Sequence, residues 1–171
     1  MFERPARAFE VRSHVAIFSK SYNEASTPFN ILGRSECRLI DAVDHIGIAV
    51  KNLDEAIHVY RDVLGLTLEG VHTLNDRMLK IAFFSLGESR IELLQPLSAD
   101  STVAKFLETR GEGIQHLAVK VRNVEATLEE FKRKGVALID EKPRTGALGN
   151  KMAFVHPKST RGVLLELVEK P

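Results

Sequence analysis

The hydrophobic pattern along the chain changes period in a fixed order, and it does so twice. From Val43 to Val50 the positions alternate, with Ile46, Ile48 and Val50 on one side and His45, Gly47 and Ala49 on the other. A period of two predicts a strand with one fully apolar face and one face of small residues around a histidine. Asn52, with Glu55 three residues later, is a helix-start signal. Leu53, Ala56, Ile57, Tyr60, Val63 and Leu64 then recur at helical spacing as a buried stripe, which Gly65 ends. Three strands follow, near Thr67 to Leu74, Met78 to Leu86 and Arg90 to Leu94, with Gly87-Glu88-Ser89 turning between the last two.

The same order returns at an offset of 71 residues, which sets Gln115-His116-Leu117-Ala118-Val119 against Asp44-His45-Ile46-Gly47-Ile48. His116 and Ala118 share one face of a strand. Asn123 caps a helix with Val124, Leu128 and Phe131 inside, ended by Gly135. Strands are expected at Val136 to Asp140, Met152 to His156 and Gly162 to Glu169, with a glycine-containing loop from Pro143 to Asn150. Between the repeats, Asp100 or Ser101 caps a short helix carrying Val103, Phe106 and Leu107, broken at Gly111-Glu112-Gly113. An internal repeat fixes architecture ahead of any local assignment. It predicts an α+β fold of two tandem βαβββ modules, residues 42–97 and 114–171 joined by a connector at 98–113, forming a curved mixed sheet around a cleft.

Residues 1–41 do not share the pattern and read as an N-terminal extension. Val15 to Phe18 is a candidate short strand and Tyr22 to Gly33 a loop. Arg4, Arg7 and Arg12 with scattered serines resemble a transit peptide; Glu3, Glu10 and Glu24 argue against one. The expected compartment is the cytoplasm, with the mitochondrial matrix as the alternative.

Composition narrows the function classes. The chain has 171 residues, 44% hydrophobic and 27% charged, with a formal net charge of +1. That balance carries no electrostatic footprint for nucleic acid or an acidic membrane, and no apolar run approaches the ~20 residues of a membrane span. Cys37 is the only cysteine, so an intrachain disulfide is excluded and the thiol is expected to be inert.

The repeat also places two histidines on first strands and two glutamates on last strands: His45, Glu92, His116 and Glu166. Each sits in an otherwise apolar strand, where a carboxylate is costly to bury unless it is paired or ligates a metal. Singly, each has an ordinary explanation as a core histidine or a solvent-facing glutamate. Recurrence at matching places in both modules points to a divalent first-row ion with positions left open for water or substrate. His14, His58, His72 and His156 have no such partners.

These residues carry a resemblance. Asp44 to Val50, the module order and the spaced ligands resemble the vicinal oxygen chelate superfamily, also known as the glyoxalase/bleomycin resistance/dioxygenase superfamily. Within it, Gly146-Ala147-Leu148-Gly149-Asn150-Lys151, Phe154-Val155-His156-Pro157-Lys158-Ser159, Gly162 to Leu167, Glu92 to Leu97 and Asp100 to Leu107 are similar to the methylmalonyl-CoA epimerase family. The resemblance covers about Ala42 to Pro171. It implies metal ligands at His45, Glu92, His116 and Glu166. It further implies a divalent transition metal, Co2+ with Mn2+, Ni2+ or Zn2+ as alternatives, an acyl-CoA thioester substrate, a homodimer, and a place in propionate metabolism. Some family members carry glutamine where this chain has Glu92.

The chemistry implied is α-proton removal from a malonyl-type thioester through a metal-stabilised enolate, with the proton returned on the opposite face. Glu166 is the expected acid/base group. A second group is needed; Lys80 is the nearest match to a carboxylate of some relatives, with a substrate-pairing or snorkelling lysine and a metal-bound water as the other readings. Lys105, Lys151, Lys158 and Arg161 are candidates for CoA phosphates. The rival functions are a lactoylglutathione lyase-type isomerase, an extradiol dioxygenase using two histidines and one carboxylate on iron, and a metal-free binding module of the same fold.

Overall fold

The computed structural model describes residues 38–170. The expected Val15–Phe18 strand, the Tyr22–Gly33 loop, His14 and Cys37 lie outside the described residues. Eight strands form one sheet: β1 (Ala42–Ala49), β2 (Thr67–Leu74), β3 (Leu79–Leu86), β4 (Ser89–Pro96), β5 (Gly113–Lys120), β6 (Arg144–Thr145), β7 (Lys151–Val155) and β8 (Leu165–Glu169). Their order across the sheet is β2-β3-β4-β1-β5-β8-β7-β6. Each module contributes a parallel pair of first and last strands, β1 with β4 and β5 with β8. The modules join at an antiparallel seam between β1 and β5. This is the α+β mixed sheet that the repeat predicts.

Helices α1 (Leu53–His58) and α3 (Val124–Arg133) cover one face, and α2 (Thr102–Arg110) lies on the other. Strand alternation separates the two. Val50, Ala82, Phe84 and Leu93 pack under α1 with Leu53 and Ile57, while Ala49, Ile81, Phe83 and Leu94 pack under α2 with Val103. In the second module Val119, Ala153 and Leu167 pack against Val124 and Leu128 of α3. Asn52, Ser101 and Asn123 cap the three helices through their side chains. The first N–H of α1 also donates to Gln95 (2.7 Å) and that of α3 to Glu169 (2.8 Å), so the last strand of each module anchors its helix start.

Three expectations change. After His58 the first helix widens into a π turn, Val59–Val63, which throws the stripe out of phase and leaves Val63 69% and Leu64 59% exposed. The segment near Val136 to Asp140 makes only a bridge between Leu138 and Val155, because the Asp140 carboxylate accepts the Phe154 N–H (2.9 Å) in place of a strand carbonyl. The last strand begins at Leu165, since the chain turns at Arg161 and Gly162, whose φ values are 55° and 97°. No helix among the described residues is long and apolar enough to cross a membrane.

Candidate metal centre

The sheet encloses a cleft of about 730 Å³. His45, Glu92, His116 and Glu166 all line it, and all are buried. Register explains the convergence. Across the seam His45 faces Ala118 and Gly47 faces His116. On the parallel sides Gly47 lies beside Glu92 and Ala118 beside Glu166. The floor of the cleft is therefore two rows, His45-Ala118-Glu166 and His116-Gly47-Glu92, each with a small residue between an imidazole and a carboxyl. The close approach is strict in the second row. A Cβ built on Gly47 would lie 2.1 Å from His116 Cε1, so the bare backbone is the bed on which that ring rests.

The two Nε2 atoms are 3.0 Å apart, and Glu166 Oε2 lies 3.1 Å from His116 Nε2 and 3.4 Å from His45 Nε2. His45 Nδ1 is 3.0 Å from Asp44 Oδ1, and His116 Nδ1 is 2.5 Å from Gln115 Oε1. With Nδ1 donating to those oxygens, both Nε2 atoms point at the Glu166 carboxylate. Three electron-rich atoms at this spacing require a cation among them, a proton or a metal ion. His45, His116 and Glu166 form the group able to hold one. The donor set fits a divalent transition metal, and the Gly47 bed leaves the His116 ring free to present its nitrogen.

Glu92 is brought to the cleft but stands outside that group. Its Oε1 is 3.5 Å from His45 Nδ1, on the other edge of the ring from Glu166. Burial, opposed by His45 nearby, raises the Glu92 carboxyl above its ordinary value. Glu166 is equally buried, but hydrogen bonds from His116 and His45 overcome that burial and hold it down to about 2. For His45, burial favours the neutral ring, yet Asp44 and Glu166 outweigh it and raise the imidazole to about 10.

Lys80 is not in the cleft. Alternation along β3 puts it with Ala82 and Phe84 on the face covered by α1, where its Nζ is 3.7 Å from Asp54. Leu79 and Ile81 take the cleft side. The assignment of Lys80 as a second acid/base group is corrected accordingly. Lys151 is occupied by Glu125 (2.9 Å), and Lys105, Lys158 and Arg161 do not line the cleft either. The cations that do are Arg77, Arg90, Arg144 and Lys170. Arg90 pairs with Glu69 and Arg144 with Asp140, each at 2.8 Å, while Arg77, in the turn between β2 and β3, donates to the Thr145 carbonyl and ties that turn to the second module. Sequence reasoning missed Asp44 and Gln115, although both precede a cleft histidine in the repeat. His58 pairs with Asp62, and His156 accepts from the Lys158 N–H.

A family model described as the glyoxalase/bleomycin resistance protein/dioxygenase superfamily matches residues 44–154. The chain is 34% identical to the mitochondrial methylmalonyl-CoA epimerase of Mus musculus, over 86% of this chain and 79% of that one. The crystal structure of methylmalonyl-CoA epimerase from Mycobacterium tuberculosis superposes with a TM-score of 0.74 at 38% identity, covering 83% of this chain and 94% of that one. A variant of the Streptomyces coelicolor methylmalonyl-CoA epimerase, in complex with 2-nitronate-propionyl-CoA, gives 0.72 at 34% identity, covering 77% and 99%.

Proposed function

The chain belongs to the glyoxalase/bleomycin resistance protein/dioxygenase superfamily, and from that premise we infer that it is a metal-dependent methylmalonyl-CoA epimerase. It is an isomerase that interconverts the (R) and (S) forms by removing and returning the α-proton. The observation that carries the reading is the convergence of His45, His116 and Glu166 at the floor of a cleft large enough for an acyl thioester. The lactoylglutathione lyase alternative is not favoured beside relatives named as epimerases at 32–38% identity.

His45, His116 and Glu166 would hold a divalent ion, which would supply Lewis-acid polarisation of the thioester carbonyl. Glu166, ionised at neutral pH, is the group that takes the α-proton. Glu92, whose carboxyl burial pushes above its ordinary value, lines the same cleft beside His45 and is the fourth ligand that the family resemblance implies. Leu79, Ile81, Leu94 and Val103 line the first-module side of the cleft and exclude water from the reacting carbon. The CoA portion meets the cationic rim of Arg77 and Arg144.

Co2+ is the ion this reading prefers, the active form is a homodimer, and the reaction belongs to propionate metabolism in the cytoplasm. The donor set of two imidazoles and a carboxylate supports the class of metal, and the dimer, the pathway and the compartment are carried over from the family resemblance. The deciding experiment incubates the protein with divalent metal and methylmalonyl-CoA in deuterated solvent. Deuterium is expected at the α-carbon. No exchange, together with turnover of the glutathione hemithioacetal of methylglyoxal, overturns the epimerase reading.

A further inference from the structure

β1 and β5 do not pair in simple register. Val43 faces Val119 and His45 faces Ala118, so Asp44 is one residue too many on β1. Gly47 faces His116 and Ile48 faces Ile114, so Gln115 is one too many on β5. Each module therefore has a β-bulge at the residue immediately before its histidine. A bulge bends the strand and re-aims a side chain. Simple alternation would send Asp44 and Gln115 away from the histidines, yet both line the cleft beside them.

The contacts that follow are matched. Asp44 Oδ1 lies 3.0 Å from His45 Nδ1 and Gln115 Oε1 lies 2.5 Å from His116 Nδ1. An oxygen at Nδ1 selects the tautomer that carries its proton there, which leaves Nε2 as the free donor on both rings. The two orienting groups differ in charge. Asp44 is an anion, 4% exposed, whose second oxygen lies 2.8 Å from Lys170 Nζ; Gln115 is neutral. A carboxylate acceptor increases the donor strength of the opposite ring nitrogen more than an amide does.

We propose that Asp44 and Gln115 are paired positioning residues, each set by a β-bulge to lock its neighbouring histidine with Nε2 turned inward, and that the charge on Asp44 makes His45 the stronger metal donor. Lys170 balances the Asp44 charge from 2.8 Å and is the outermost member of this set. The assignment rests on the metal reading of the site.

The test is equilibrium dialysis of Co2+ against the full chain, with the visible absorption band of the bound ion as a second readout. Asp44→Ala is expected to weaken binding about 10–100-fold and to shift the band. Gln115→Ala weakens it by a smaller factor. Asp44→Asn keeps an acceptor oxygen without the charge, so it restores the wild-type band while binding between wild type and Asp44→Ala. Wild-type affinity and band in both alanine variants overturn the proposal, as does an Asp44→Asn that binds as poorly as Asp44→Ala. If Asp44→Ala loses its circular dichroism, Asp44→Asn and Gln115→Ala decide by the same criteria. Failure of the wild type to bind Co2+, Mn2+, Ni2+ or Zn2+ overturns the metal reading itself, an outcome distinct from tight binding that ignores Asp44 and Gln115.

Discussion

Glu92 in the first module and Glu166 in the second stand at matching places, on the last strand of each repeat and beside a small residue. Their exposures are 9% and 6%. Burial pushes both carboxyls upward, but only Glu166 is answered by two imidazoles within hydrogen-bonding reach, and it alone is held down to about 2. Glu92 meets one ring at 3.5 Å and stays above its ordinary value. The bed residues differ as well: Gly47 under His116, Ala118 under His45. A duplicated scaffold thus need not give duplicated chemistry. The number of imidazoles facing a buried carboxyl, two at Glu166 and one at Glu92, sets the direction in which its pKa moves.

The largest test of that difference is Glu166→Gln, expected to slow α-proton exchange about 10²–10⁴-fold, as removal of an acid/base group does. Glu92→Gln should stay close to wild type in the same assay, because the amide keeps an oxygen donor at that place and Glu92 lies outside the group formed by His45, His116 and Glu166; an equal loss would make the two modules chemically alike. Next is Gly47→Ala, which drives a methyl into the His116 ring and should cost about 1–3 kcal/mol of stability by thermal denaturation. Ala118→Gly in the other row should cost about 0.5–1 kcal/mol, the entropic effect of a strand glycine. If the two costs are equal, the beds are interchangeable.

Smaller effects probe the edges of the site. Lys80→Ala, remote from the cleft, should leave kcat unchanged; a large fall would return it to the mechanism. The Asp44 carboxyl, buried yet bonded to His45 and Lys170, falls from its ordinary 3.8 to about 2. The stability it contributes is present above about 3.8 and is lost as pH falls through about 2. The Tm gap between wild type and Asp44→Asn, measured without metal, should therefore close on acidification. A gap that persists unchanged places its origin elsewhere.

The repeat made the sheet, its eight strands bar the short β6, and the four inward residues readable before any coordinates. Two-residue alternation needs no tertiary information, and neither do the caps at Asn52, Ser101 and Asn123. Lys80 lies on the α1 face with Ala82 and Phe84, as alternation requires; which face of β3 borders the cleft is set by the sheet and not by the strand alone. The π turn at Val59 follows no local residue signal, since Val63 and Leu64 fit the helical stripe as well as any. The bulges at Asp44 and Gln115 were hidden for a different reason: a bulge is a mismatch between two strands far apart in sequence, and neither strand alone records it. The cations of the cleft rim come from four separate elements with no shared spacing.

The seam between β1 and β5 has a consequence for biosynthesis. His45 emerges from the ribosome long before His116, and Glu166 later still. During that interval the first module has a strand edge at β1 waiting for a partner and a lone imidazole with no ion to share. A metal site built from His45, His116 and Glu166 is complete only once the second module has docked, so an ion would seal a finished sheet rather than nucleate a partial one.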